Sequence, residues 1–332
     1  MLKFCRIILL SLSSIFFMEQ VVPQSSSTEL VWPPSPQNTR VKHIRTISNL
    51  NEVASEQGFF SRVMNFLFGG KETRHGFVQP VGITVSSSGV IYIADPGANC
   101  VHVLNLDEKE YNIISETKVG KLKSPVDLAS SSNGYLYISD SERKEVLVLD
   151  DDLSVQFVIR YNFVRPTGIQ IIDGKLYIVD TGQNKIFVFD LKGNYISEFG
   201  KRGSGDGEFN YPVQLCAGSL IYIVDALNFR VQICDVSGKF VGQFGAIGNS
   251  AGSFANPKSV ALDSEGHVYV TDALMDNFQI FDNRGELLLV VGSRGSGDGE
   301  FLSPSGIAID KNDTIYIIDS LNKRLQIFRY LK

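Results

Sequence analysis

The sequence predicts an all-β protein, a six-bladed β-propeller whose last blade is closed by an N-terminal strand, with one short helix in the N-terminal region. Three observations predict it. The tetrapeptide Tyr-x-x-Asp recurs six times, ending at Asp95, Asp140, Asp180, Asp225, Asp272 and Asp319, with spacings of 45, 40, 45, 47 and 47 residues between successive Asp numbers. A proline precedes each copy: Pro80, Pro125, Pro166, Pro212, Pro257 and Pro304. Glycine-rich connectors at 200–209 and 292–301 repeat almost letter for letter, and 245–254 is a looser copy. A repeat of about 40–50 residues carrying four strands is the period of a propeller blade.

The clearest unit is 210–235. It reads as strands at 212–216, 220–225 and 230–235, rich in β-branched and aromatic residues. That composition suits a buried pleated surface. Residues 239–244 supply a fourth strand. Each proline opens a first strand, where the missing N–H costs no ladder bond. The repeats run at about 80–120, 121–163, 164–210, 211–255, 256–302 and 303–332. The sixth has strands at 306–310, 314–319 and 325–331, and then the chain ends. Its bare edge needs a partner, and 41–48 (VKHIRTIS) has strand composition with no blade of its own. It is assigned as the outermost strand of the last blade, so that the propeller spans 41–332.

The segments PVGITV…IYIAD and PSGIAID…IYIIDSLNKRLQIF, and the connectors GxxGSGDGEFxxP, resemble NHL repeats over roughly 80–332. The match is closest in the fourth and sixth copies. The run LVWPPSP is similar to the leader of certain bacterial cell-envelope propellers of this family. The resemblance implies a six-bladed propeller, with the repeated Asp and the Arg five residues on as parts of the repeat's framework. It leaves function open, since its members include a zinc-dependent amidating lyase, RNA-binding propellers and substrate-recruiting parts of ubiquitin ligases.

Residues 1–24 read as a signal peptide or short anchor. Lys3 and Arg6 precede an apolar run at 7–17 that is short for a bilayer span. Residues 25–40 read as a Pro/Ser-rich linker in which Trp32 packs on the propeller's outer wall. In 52–70, Phe59 or Phe60, Val63, Phe66 and Leu67 recur at helical spacing before Gly69 and Gly70. This helix is read as a lid on the loop-bearing face. A membrane-surface helix usually carries a basic face, and here Arg62 stands alone near Glu52 and Glu56.

The six aspartates ring one face and could hold a cation, but Asp opening a tight turn bonds its own backbone. They are assigned a structural role. Arg230 and Arg324 follow Asp225 and Asp319 at one offset and are expected to form exposed pairs of small energetic weight. The glycine connectors lead into a strand rather than a helix, unlike phosphate loops. They are read as turns plugged by Phe209, Phe254 and Phe301. Lys201, Arg202, Arg230, Arg294 and Arg324 are the candidate binding residues. His43, His75, His102 and His267 do not converge into a zinc site. The first strands offer only Asp127 and Gln214 as polar residues, unlike calcium-dependent lactonases. Cys216 and Cys234 lie on strands separated by a third, too far apart to bridge, so free, buried thiols are expected.

The net charge of −5 gives no general attraction to nucleic acid or anionic lipid. The reading is a non-catalytic, exported propeller, periplasmic, secreted or anchored in the envelope. It is expected to be monomeric and cofactor-free, to hold a protein or small ligand on its loop-rich face, and to touch membrane only through 1–17 if uncleaved. The alternatives are a metal-dependent lyase or hydrolase with a site in the central channel, and an RNA-binding propeller.

Overall fold

Strands that are apolar on both faces must be covered on both sides, and a ring of radially stacked sheets does this for every blade. In the computed structural model, which describes residues 29–34, 36–53 and 76–332, six sheets follow one another in chain order. Blade 1 comprises Gly82–Val85, Ile91–Asp95, Cys100–Asn105 and Glu110–Ile114. Blade 2 comprises Pro125–Ser130, Leu136–Asp140, Glu145–Leu149 and Val155–Arg160. Blades 3, 4 and 5 start at Pro166–Ile172, Pro212–Ala217 and Pro257–Leu262 and end at Tyr195–Phe199, Phe240–Phe244 and Leu287–Val291. Blade 6 contains Pro304–Ile309, Thr314–Asp319 and Arg324–Tyr330.

The sixth sheet is completed from the other end of the chain. Val41–Ile47 pairs antiparallel with Arg324–Tyr330, with Val41 opposite Tyr330 and Ile47 opposite Leu325. Beyond it, Val31–Trp32 pairs with Val41 and Lys42. The segment expected to be a linker is therefore strand in part. Trp32 packs edge-on to Phe328 at 5.8 Å between ring centroids. A 3-10 turn, Leu50–Glu52, follows. The rest of the expected helical lid falls on 54–70 and the expected export segment on 1–17, both outside the described residues. Among the described residues, no helix is long and apolar enough to cross a membrane.

The core is six separate layers, one between each pair of neighbouring blades. Ile138 and Leu147 of blade 2 face Ala94 and Val101 of blade 1. Tyr137 and Val146, one residue along, face Ile169 and Phe187 of blade 3. This is the period-2 alternation of a strand translated into ring geometry. Phe209, Phe254 and Phe301 are fully buried at the junctions of blades 3 and 4, 4 and 5, and 5 and 6. Each ring lies against the glycine that opens its own connector. A Cβ on Gly245 would stand 2.3 Å from Phe254, so only glycine fits there. Ile47, Leu50 and Val53 join the layer between blades 6 and 1, beside Phe77, Ile93 and Ile318.

Candidate functional site

In blades 2 to 6 the opening proline pairs with the motif aspartate, and the register then slips: Pro125 with Asp140, Pro166 with Asp180, Pro212 with Asp225, Pro257 with Asp272 and Pro304 with Asp319. This puts the turns after the aspartates and the connectors between blades on one face, the loop-rich face. All six aspartates are fully buried beneath it. In blades 1, 2, 3 and 5 the carboxylates accept mainly from backbone N–H groups, whereas Asp225 and Asp319 each accept one backbone N–H, of Asn210 and Leu302, and three side-chain donors. Asp140 accepts from Lys123 and Ser124 at 2.8 and 3.1 Å, and from Arg143 in the turn at 3.0 Å. Asp180 does the same with Val164, Arg165 and Gln183. The turn bond foreseen from sequence is thus the lesser part: each of these carboxylates ties two distant segments together.

Arg230 and Arg324 do not belong to an exposed binding face. Both are buried, and their guanidinium groups are used up inside the repeat. Arg324 Nε donates to Asp319 at 2.7 Å, and its Nη atoms donate to the carbonyls of Ser296, Gly297 and Glu300. Arg230 binds Asp225 at 2.9 Å and the carbonyls of Gly205 and Glu208. Lys201, Arg202 and Arg294 do lie on the surface of the connectors, with Lys201 held by Glu208 at 3.1 Å. Two residues beyond the arginine position stands a glutamine that the sequence reading missed. Gln232, Gln279 and Gln326 each accept from a connector glycine N–H and donate to the carbonyl of the following residue. The co-occurrence of this glutamine with a glycine connector was visible in the sequence.

In blade 1 the glutamine position is His102, and it forms a buried Cys–His–Asp group. His102 lies 3.6 Å from Cys100, 3.3 Å from Asp95 and 2.9 Å from Tyr111. Those residue types serve nucleophilic catalysis elsewhere, but burial pushes the Cys100 thiol up to about 12, and the group has no opening to solvent. It is an internal clamp. Burial alone would raise the Asp95 carboxyl, but bonds from His102 and from the N–H groups of Val78, Gln79 and Ala98 hold it below its usual range. His43 lies on the outer strand near Thr46, and His267 binds Asp263 at 2.8 Å. Cys216 and Cys234 are free and buried on the first and third strands of blade 4. Among the described residues, no three His, Cys, Asp or Glu side chains are grouped as a metal site.

Two features remain open on the loop-rich face. Two residues after the motif aspartate, blades 4, 5 and 6 carry Leu227, Leu274 and Leu321, which are 52%, 68% and 60% exposed. Ile247, 72% exposed, stands in the connector between blades 4 and 5, at the position of Arg202 and Arg294. Blades 1, 2 and 3 carry Gly97, Glu142 and Gly182 at the leucine position. Where the leucines are missing, a cavity of about 460 Å³ opens, lined by Ser124, Ser141, Glu142, Val164, Arg165, Gly182 and Tyr211. Inside the ring, Asp127 and Gln214 on the inner strands accept from Ile169 N–H and Val260 N–H of the next blade round, each at 3.0 Å.

The fold and these repeats define the class: the chain is a six-bladed β-propeller built from NHL-type repeats. A family model described as 6-bladed beta-propeller matches residues 127–216 and 263–330, and the NHL repeat model matches 77–104. Among solved structures, an auxiliary nutrient binding protein from Bacteroides thetaiotaomicron superposes with a TM-score of 0.61 at 15% identity, over 79% of this chain and 71% of that one. Virginiamycin B lyase from Staphylococcus aureus gives 0.55 at 16% identity, over 76% and 95%. A chain of a nidogen/laminin complex gives 0.52 at 18%, over 64% and 79%. At these identities the likeness is one of fold, and the three differ in what they do.

Proposed function

We propose that this chain is a non-catalytic, extracytoplasmic binding propeller that holds a protein partner on its loop-rich face. The observation that carries the reading is the arc formed by Leu227, Leu274, Leu321 and Ile247. Large apolar side chains exposed at one turn position on three successive blades form a repeated surface, and repeated apolar surfaces are characteristic of protein contacts. Arg202 and Arg294 stand in the connectors on either side of Ile247, which suits a partner whose apolar contact is rimmed by carboxylates. Export rests on Lys3, Arg6 and the apolar run after them. In the same reading, Val41–Ile47 covers the third strand of the last blade and the protein is a monomer.

The test compares full-length protein with a Leu227→Ser, Leu274→Ser, Leu321→Ser variant, both expressed in the native host and crosslinked in place. A specific partner is expected with the first and lost with the second, at an unchanged melting temperature. The same crosslinked species from both proteins would remove the arc from the function.

A further inference from the structure

The cavity between blades 2 and 4 is separate from the leucine arc, and its lining is specific. At the residue before the opening proline, the six blades carry Gln79, Ser124, Arg165, Tyr211, Asn256 and Ser303. The two with the largest side chains are consecutive in the ring and touch. Arg165 Nη1 donates to the Tyr211 hydroxyl at 2.7 Å, and its guanidinium carbon lies 5.6 Å from the centre of the tyrosine ring. Among the described residues no carboxylate pairs with the Arg165 side chain, so its remaining N–H groups are unspent. The Tyr211 oxygen accepts from arginine, which leaves its own proton to give away. Two donors, one of them charged, thus sit side by side at the cavity wall.

The space beside them exists because Gly182 replaces the leucine of blades 4 to 6. A Cβ there would come within 2.6 Å of Val164, another lining residue. The other wall has the opposite chemistry. Ser141 Oγ donates to the Pro166 carbonyl and keeps its lone pairs free, and Glu142 brings a carboxylate tied only to the exposed Lys123 at 3.4 Å. A fixed guanidinium faces carboxylates, whereas a carboxylate beside a hydroxyl acceptor suits an ammonium.

We propose that this cavity binds a small zwitterion, a short peptide with free termini, with its carboxylate on Arg165 and the Tyr211 hydroxyl and its ammonium toward Glu142 and Ser141. The recess is shallow and open to solvent, so a ligand would be held by its charged ends rather than enclosed. The proposal concerns a second site on the loop-rich face and does not depend on the leucine arc.

Isothermal titration calorimetry of the full chain with trialanine, its C-terminal amide and its N-acetyl derivative tests it. Trialanine is expected to bind, and the amide about 10- to 100-fold more weakly, since each hydrogen bond to a charged group is worth that range. The N-acetyl form is expected to lose affinity as well. Arg165→Gln, an exposed change that leaves the fold alone, should bind acid and amide alike. Tyr211→Phe keeps the ring and should weaken only the acid. Equal binding of acid and amide by the unaltered protein, unchanged selectivity in Arg165→Gln, or no heat with any of the three peptides overturns the proposal. The crosslinking result at the leucine arc is independent of each of these outcomes.

Discussion

Blades 4 to 6 and blades 1 to 3 share a backbone plan and differ in how their loop-rich face is built. In blades 4 to 6 a glycine connector crosses the top of each blade, and the motif aspartate and a glutamine hold it down, joined by Arg230 in blade 4 and Arg324 in blade 6. Arg324 and Gln326 bind three carbonyls and one N–H of the 292–301 connector and also reach Asp319. With the polar groups buried beneath the connector, the turns can present leucine to solvent. In blades 2 and 3 the same two positions are Glu145 with Leu147 and Lys185 with Phe187, and no glycine connector crosses them. Their hydrophobic layers close instead around Leu122 and Phe163. What remains above is small or polar, and the cavity opens there. Two kinds of surface, one apolar and one charged, arise from a change of connector within a constant blade.

The largest effect expected concerns the seam between the ends of the chain. Deleting 41–47 strips Arg324–Tyr330 of its outer neighbour and removes Val41 and Ile47 from two core layers. The melting temperature should fall sharply in a thermal scan, and an unchanged curve would refute closure by this strand. Next comes the contrast between the halves. Arg324→Ala should cost about 3–5 kcal/mol in urea unfolding, because it leaves Asp319 buried without its charge partner. Lys185→Ala, at the equivalent position in blade 3, removes only a partly exposed pair with Glu198 and should cost about 0–1 kcal/mol. Similar losses at both sites would show that the clamp is not particular to the connector-bearing half.

A smaller effect, legible as pH dependence, comes from the inner ring. Burial raises the Asp127 carboxyl to about 7, against the bonds it accepts from Ile169 and Leu128. An aspartate in the unfolded chain loses its proton near pH 4. Between those values the folded state holds a proton that the unfolded state has released, so stability falls as pH rises from about 4 to about 7 and is level above. Asp127→Asn should abolish that slope and leave the protein more stable at pH 8. Urea midpoints at pH 4 and pH 8 decide it, and a slope that survives the substitution assigns it to another group.

Much of the ring was legible from periodicity. The six Asp positions, the opening prolines and the buried phenylalanines of the connectors are local patterns, and the structure repeats them. Asp225 and Asp319 pair with Arg230 and Arg324 as expected, but the pairs are buried rather than exposed. Each aspartate accepts one upstream backbone N–H, from Asn210 or Leu302, and the side chains of Asn228, Arg230 and Gln232, or of Asn322, Arg324 and Gln326, supply the rest. Arg230 and Arg324 were expected in exposed pairs and among the binding residues, since the spacing from the aspartate does not show what covers them. Only the connector lying over them makes them interior. Arg165, Tyr211 and Gly182 gave no signal, since none stands out in composition or spacing.

What the sequence determined by itself is the blade. Strand alternation, proline at the start, aspartate at the turn and glycine against phenylalanine are constraints between residues close along the chain, and short-range sterics and hydrogen bonding enforce them wherever they occur. What only the tertiary structure decided is the surface. Whether a leucine is exposed, an arginine spent or a cavity left open depends on which connector covers which blade. Side chains of neighbouring blades are brought together there by the stacking of one blade on the next, and no local pattern records it.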